Sequence, residues 1–567
     1  MSEVAEPITA MRGVGASPGI ALGPVITIDV ASVELPPLDE PLVAIAASAS
    51  AVSAHLSALS DTTRASGRDD AADVLNAQSL IAEDEMITDA IGEHLDDGLD
   101  LDAAFDAAAA QLEALLASLP DPYLAARAAD VGEVMQAIKR DVAGLEPEST
   151  TIDEPSILIA HALTAAETAG LDPEMVLGFA TETGGATSHV AIIARSLGVP
   201  AVVGVSGLLA KGPAYAALDG STGEFHADPS PTERSDFEQR LTAQAHLAER
   251  LVESRGTAAM FGDTRIIVAS NIAGVDDIAR GVEEQSDGVG LFRTEFLFLD
   301  RPNPPTEDEQ YEAYKAAATS WTDTVVIRTF DIGGDKPAEY LEMPEEENPF
   351  LGLRGVRIYD RFPELIDAQI RAALRASAHG DIALMIPMVA TLAEFQSVRD
   401  RVRRVRDSLD AENVDCGDVT LGVMVEVPSV AMTAHTFADE VDFFSIGTND
   451  LTQYTMAADR MLSELSELHD PLHPAVIKLC ALVAQAGGAK DRSVSVCGLA
   501  AADPLAAVIF AAIGITKLSV SANAVNLIKA TLNAQSPEIA DRIHEVLDTA
   551  SSAAEVRAAL APLLMEP

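Results

Sequence analysis

Between residues 265 and 521 the chain repeats one pattern eight times: a short apolar, β-branched run followed by a stretch with helical spacing. The runs are RIIVASNI (265–272), GVGLFRTEF (288–296), TVVIRTFDI (324–332), IALMIPMV (382–389), TLGVMVEVP (420–428), FFSIGTND (443–450), SVSVCG (493–498) and KLSVS (517–521). Strands that alternate with helices imply parallel βαβ units, and eight of them over ~260 residues are what a (β/α)8 barrel requires. A barrel is therefore expected over 261–567.

The first half has a different texture. GVGASPGIALGPVITID (13–29) reads as a strand punctuated by Gly and Pro. From about 38 to 145 Ala, Leu, Asp and Glu recur at helical spacing, as in NAQSLIAEDEMITDAIGEHL (76–95) and AADVGEVMQAIKRDVAGL (128–145), which read as amphipathic bundle helices. Short apolar runs then return: SILIA (156–160), VLGFAT (176–181) and PAVVGV (200–205). The expected organisation is a multidomain α/β chain: an α/β domain from 1–30 and 147–228, an inserted helical domain over 31–146, a polar helical linker over 229–260, then the barrel. A length of 567 residues suits three or four domains at ~150 residues each.

Charge narrows the partners. With 89 acidic against 37 basic residues the net charge is -52, which disfavours nucleic acid and anionic membrane as ligands, since phosphate binding draws on Lys and Arg. Cys416, Cys480 and Cys497 are an odd, widely spaced set without metal-ligand spacing, as expected in a reducing compartment. No basic, apolar leader opens the sequence and no uninterrupted run of 18 apolar residues occurs, so a cytoplasmic protein without membrane insertion is expected.

Active sites of barrels collect at the C-terminal ends of the strands, and polar residues collect there in this sequence. Arg293 follows the second strand, Arg328 lies late in the third, Glu426 in the fifth, Asn449 and Asp450 just after the sixth, and Cys497 ends the seventh. Arginine forks match carboxylate and phosphate oxygens, so Arg293, Arg328 and Arg460 can clamp a phosphorylated acid. Glu426 and Asp450 suit Mg²⁺, which takes one or two protein carboxylates and fills its octahedron with water and phosphate oxygens.

The string EVDFFSIGTNDLTQYTMAADR (440–460) resembles the phosphoenolpyruvate-binding signature of the superfamily of enzyme I, pyruvate phosphate dikinase and phosphoenolpyruvate synthase. The resemblance continues through GVGLFRTEFLF (288–298), IRTFDIGGDKP (327–337), ENPFLGLRGVR (347–357) and VMVEVPS (423–429). It implies that Arg293, Arg328, Asn449 and Arg460 contact phosphoenolpyruvate, that Glu426 and Asp450 hold Mg²⁺, and that Cys497 protonates the enolate left after phosphoryl loss. In TETGGATSHVAIIARSLGVPAVVG (181–204) the glycines allow a turn, Thr187 or Ser188 can cap a helix, and His189 falls in its first turn, where N–H groups and the dipole favour negative charge. This string resembles the superfamily's phosphohistidine signature, which implies that His189 is phosphorylated on the ring nitrogen farther from the backbone. Thr168 matches a threonine that hydrogen-bonds that imidazole. Ala186, Val190 and Leu499 depart from the family strings.

Only 188 residues precede His189, and they hold no Gly-rich phosphate loop. A dikinase or synthase needs a large nucleotide-binding domain there, so the resemblance falls on the enzyme I type. It implies transfer to a histidine-containing phosphocarrier protein docked on the helical insertion, and a homodimer through the barrel. The alternatives are a synthase- or dikinase-like enzyme and a catalytically inactive regulatory relative, whose mark would be substitution at His189, Glu426, Asp450 or Cys497.

Overall fold

The computed structural model describes residues 10–565 apart from 29–32, 34, 37, 66–68, 118–127, 146–151, 165–166, 169–170, 173, 186–188, 300, 334–337 and 339. The chain forms two compact units, Met1–Ala245 and His246–Pro567.

The first unit opens with β1 (Ala10–Arg12), β2 (Val14–Ser17) and β3 (Ile20–Ile28). Among the described residues five helices follow: α1 (Pro41–Ala65), α2 (Asp69–Glu83), α3 (Glu85–Asp96), α4 (Leu101–Ala117) and α5 (Ala128–Val142). The chain then returns through β4 (Ser156–Ala160), β5 (Val176–Thr181), α6 (His189–Leu197), β6 (Ala201–Val203), β7 (Tyr215–Asp219) and β8 (Glu224–Ala227). One sheet takes the order β1-β8-β7-β3-β4-β5-β6-β2, in which β3 and β4 are parallel neighbours although the whole helical stretch separates them in sequence.

The helices bury Ile45, Ala49, Val52 and Leu56 of α1 against Leu75, Ile87, Ile91, Phe105, Val134 and Ile138. The four α1 positions fall on one helical stripe. Serines knit the same face, Ser60 Oγ donating to Ala72 O at 2.7 Å and Ser53 Oγ lying 3.0 Å from Ser79 Oγ. By length and composition α1 could cross a membrane, because 41–60 carries no charge. Serine and histidine interrupt that stretch, so it holds no uninterrupted run of 18 apolar residues. The segment 76–95, expected as one helix, is two: Asp84 breaks it and caps α3 by accepting from Met86 N at 2.9 Å.

The helix Pro231–Ser254 leads out of this sheet, and Phe237 is the only buried residue on it. In the second unit β9 (Ala259–Phe261) forms a hairpin with β10 (Thr264–Ile272). The parallel strands β11 (Val289–Arg293), β12 (Val325–Arg328), β13 (Ile382–Ile386), β14 (Val419–Val425), β15 (Phe443–Ile446), β16 (Ser493–Val496) and β17 (Lys517–Val520) follow in spatial order. Pairing of β10 with both β11 and β17 closes them into an eight-stranded barrel. All eight expected strands are present.

Successive side chains of a strand point to opposite faces. Val325, Ile327, Ile382, Leu384, Val423, Val425, Phe444, Ile446, Val494 and Val496 join the large core made with the surrounding helices. Leu291, Val326, Ala383, Met385, Met424 and Cys497 form a separate cluster inside the barrel. Both faces of each strand are thus covered, which accounts for the continuous apolar runs of the sequence.

Candidate functional site

Strand alternation aims the site. Arg293 lies two residues beyond the interior Leu291, Arg328 two beyond Val326, and Glu426 two beyond Met424, while Cys497 is itself interior. All four therefore face the barrel axis at the C-terminal ends of their strands. Asn449 and Asp450 stand in the first turn of the helix Thr448–Met456, immediately after β15.

Charged groups form an alternating ladder across this mouth. Glu295 Oε2 lies 2.9 Å from Arg328 Nη2, and Arg328 Nη1 lies 4.0 Å from Asp331 Oδ2. Asp331 Oδ2 is 2.6 Å from Arg354 Nη2, Arg354 Nη1 is 3.6 Å from Asp450 Oδ1, and Asp450 Oδ1 is 3.3 Å from Arg460 Nη1. The Phe350 ring lies under both Arg354 and Arg460, with guanidinium carbons 5.9 and 5.3 Å from its centroid. Burial opposes the charge of Arg328, but Glu295, Asp331 and Glu426 outweigh it and raise its pKa.

Two groups have electrostatic demands that the protein leaves unmet. Arg293 is largely buried yet makes no ion pair within 4.0 Å among the described residues, and burial together with the neighbouring Arg328 pulls its pKa down. An anion would relieve both effects. Glu426 is fully buried; its Oε1 accepts from Met388 N at 2.5 Å, but Oε2 has no hydrogen-bond partner among the described residues. Burial, with Asp450 and Asp331 nearby, pushes its carboxyl up to about 8. A cation placed beside Oε2 would favour the ionised carboxylate.

A hard divalent ion fits this pair. Among the described residues no group of three or more His, Cys, Asp or Glu forms a metal cluster. Magnesium needs only one or two protein carboxylates, and Glu426 with Asp450 supplies them. Asn449 Oδ1 accepts from Leu499 N at 3.1 Å, which leaves its NH₂ as a donor for a ligand. The Cys497 thiol is buried 3.6 Å from Ile446 O, and burial pushes its pKa up, keeping it protonated.

Sequence reasoning missed Arg354, Asp331 and Glu295, which bind the site arginines and Asp450 into one network. Each lies inside a string already singled out; for Glu295 and Asp331 the signal was a charge embedded in an otherwise apolar run, whereas Arg354 carried none.

In the first unit His189 is the first residue of α6, in agreement with a first-turn position; Thr187 and Ser188, the expected caps, lie outside the described residues. Thr168 is buried, and its hydroxyl donates to Thr164 O at 2.9 Å.

Fold and mouth together define a parallel barrel whose strand ends gather arginines, buried carboxylates and a protonated thiol. The chain belongs to the PEP-utilising enzyme family: residues 249–536 match its PEP-binding domain, 152–223 its mobile domain and 12–127 its N-terminal domain. It is 40% identical to the phosphoenolpyruvate-protein phosphotransferase of Haloferax volcanii over 86% of this chain and 87% of that one. To the enzyme of the same name from Bacillus subtilis it is 35% identical over 96% and 98%. A multiphosphoryl transfer protein of Xanthomonas campestris is 36% identical over 97% of this chain, which spans 66% of that longer relative.

Proposed function

We infer that this chain is a phosphoenolpyruvate-protein phosphotransferase, which takes the phosphoryl group of phosphoenolpyruvate onto His189, releases pyruvate and passes the phosphate to a histidine-containing phosphocarrier protein. The observation that carries the reading is a pair of buried charges at the barrel mouth: among the described residues Arg293 makes no ion pair within 4.0 Å and Glu426 Oε2 accepts no hydrogen bond. Phosphoenolpyruvate bound with a divalent ion satisfies both.

In this reading Arg293, Arg328 and Arg460, with the Asn449 amide, hold the carboxylate and phosphate. Mg²⁺ held by Glu426 and Asp450 would neutralise charge on the phosphoryl oxygens. The P–O bond breaks as a bond forms from phosphorus to the His189 ring nitrogen farther from the backbone. The electron pair stays on the enolate, Cys497 gives its thiol proton to the enolate carbon, and the thiolate recovers a proton from water. Thr168 supports the imidazole.

The domain roles belong to the same proposal: phosphohistidine chemistry in 1–30 and 147–228, phosphocarrier docking on 31–146, a linker over 229–260 and phosphoenolpyruvate binding in 261–567. A homodimer through the barrel is supported by exposed Phe296, Leu351, Met432, Met461 and Leu499, each in a segment that follows the C-terminal end of a strand. Three free cysteines support a cytoplasmic setting.

The test is incubation with labelled phosphoenolpyruvate and Mg²⁺ without ATP. Acid-labile, base-stable label is expected on His189 and none on His189→Ala. Label retained in that variant would move the nucleophile elsewhere.

A further inference from the structure

The barrel interior has two sides of different chemistry. Strands β11 to β14 present Leu291, Val326, Ala383, Met385 and Met424 to it. By the same alternation β15 to β17 present Ser445, Ser495, Cys497 and Ser519. The hydroxyls of Ser495 and Ser519 are committed, Ser495 Oγ donating to Phe444 O at 3.3 Å and Ser519 Oγ to Asn271 Oδ1 at 2.6 Å. Ser445 differs. It is fully buried, and its Oγ has no nitrogen or oxygen partner among the described residues.

Ser445 pairs in register with Ser495 and precedes Ile446, whose carbonyl accepts from Cys497 N at 3.0 Å. The Cys497 thiol is the polar group that lies beside the serine hydroxyl. A neutral thiol is a weak hydrogen-bond partner, so the serine's contact with it gains most of its strength in another state of the site. That state arises when the thiol has lost its proton: the sulfur then carries charge inside the barrel and needs a donor.

We propose that Ser445 is a positioning residue for Cys497, its hydroxyl donating a hydrogen bond to Sγ once the thiol has given its proton to the enolate carbon. The S–H bond breaks, the C–H bond forms, and the electron pair remains on a sulfur that Ser445 solvates until water returns the proton. The proposal rests on the reading of Cys497 as the acid.

The full chain, phosphorylated with phosphoenolpyruvate and then supplied with Mg²⁺ and methyl-deuterated pyruvate, provides the test. Loss of deuterium requires the thiolate and is followed by NMR between about pH 6 and 9. Ser445→Ala should slow the loss about tenfold at neutral pH and displace its pH profile upward by about one unit, the order expected for one hydrogen bond to a charged group. Its melting temperature should fall little, because a hydrogen bond to a neutral thiol is weak. Ser445→Thr should restore most of the rate, and Ser495→Ala should follow the wild type. A Ser445→Ala profile that superimposes on the wild type, or that falls equally at every pH, would overturn the proposal. Full exchange in Cys497→Ala would instead overturn the reading of the thiol.

Discussion

Arg354 grips Asp331 as a fork, Nε to Oδ1 at 3.0 Å and Nη2 to Oδ2 at 2.6 Å, with neither side chain more than 1% exposed. This pair sits at the centre of the charge ladder, between the arginine that ends β12 and the carboxylate that follows β15. Its partners on either side, Arg328 and Asp450, are a substrate arginine and a metal carboxylate in the proposed mechanism. The pair thus fixes the spacing between the two halves of the binding site.

Arg354→Met should therefore be costly twice over. Removing one member of a buried pair leaves the other charge uncompensated, a loss of about 3–5 kcal/mol. Urea unfolding should register that loss, and phosphoenolpyruvate binding should weaken as Asp450 loses a neighbour. Replacing both members by apolar residues should recover much of the stability without recovering binding. A single variant destabilised by less than about 1 kcal/mol would mean that the pair is not desolvated.

This network also marks the limit of what the sequence discloses. The eight strands were legible because each is buried on two faces and so reads as an unbroken apolar run. Arg293, Arg328, Glu426 and Cys497 were legible because a charge or thiol at the end of such a run has few structural uses. Arg354 sits instead between short 3₁₀ turns, Pro349–Leu351 and Gly355–Ile358, where no periodicity separates a buried arginine from a surface one. Ser445 was hidden for the opposite reason: a serine within FFSIG looks like an ordinary tolerated polar residue until the Cys497 thiol is seen beside it. The break at Asp84 was missed because an acidic residue suits an exposed helix position as well as a cap.

The Glu426 carboxyl carries a prediction about pH and metal. Its folded-state value of about 8 lies above the ordinary 4.5, so without a cation the folded protein keeps a proton that the unfolded chain has released. The stability contributed by this group is present below the unfolded value and is lost as pH rises toward 8. A divalent cation must displace that proton. Mg²⁺ binding near pH 6.5 should therefore release up to about one proton, and affinity should climb by about tenfold per pH unit until near pH 8. Calorimetry in two buffers of different ionisation enthalpy measures the release. Glu426→Gln should abolish both the proton release and catalysis, and wild-type binding without any proton release would remove Glu426 from the cation site.

The last prediction follows from the assignment of the nucleophile and the phosphoenolpyruvate site to different compact units, Met1–Ala245 and His246–Pro567. Each unit carries its own core: the sheet and helical bundle in the first, the barrel and its helices in the second. The connecting helix Pro231–Ser254 is exposed along almost its whole length, so cutting near its end uncovers little apolar surface. A fragment of residues 1–255 should fold and exchange phosphate reversibly between His189 and the phosphocarrier protein, because both groups in that transfer lie within it or dock on it. It should take no label from phosphoenolpyruvate, since Arg293, Glu426 and Cys497 are missing. The complementary fragment should bind phosphoenolpyruvate with Mg²⁺ and remain unlabelled for want of His189. Label entering the first fragment directly from phosphoenolpyruvate, or entering the second at all, would refute the division of labour. A folded first fragment unable to exchange with its phosphocarrier would count against docking on residues 31–146 and leave the barrel chemistry untouched.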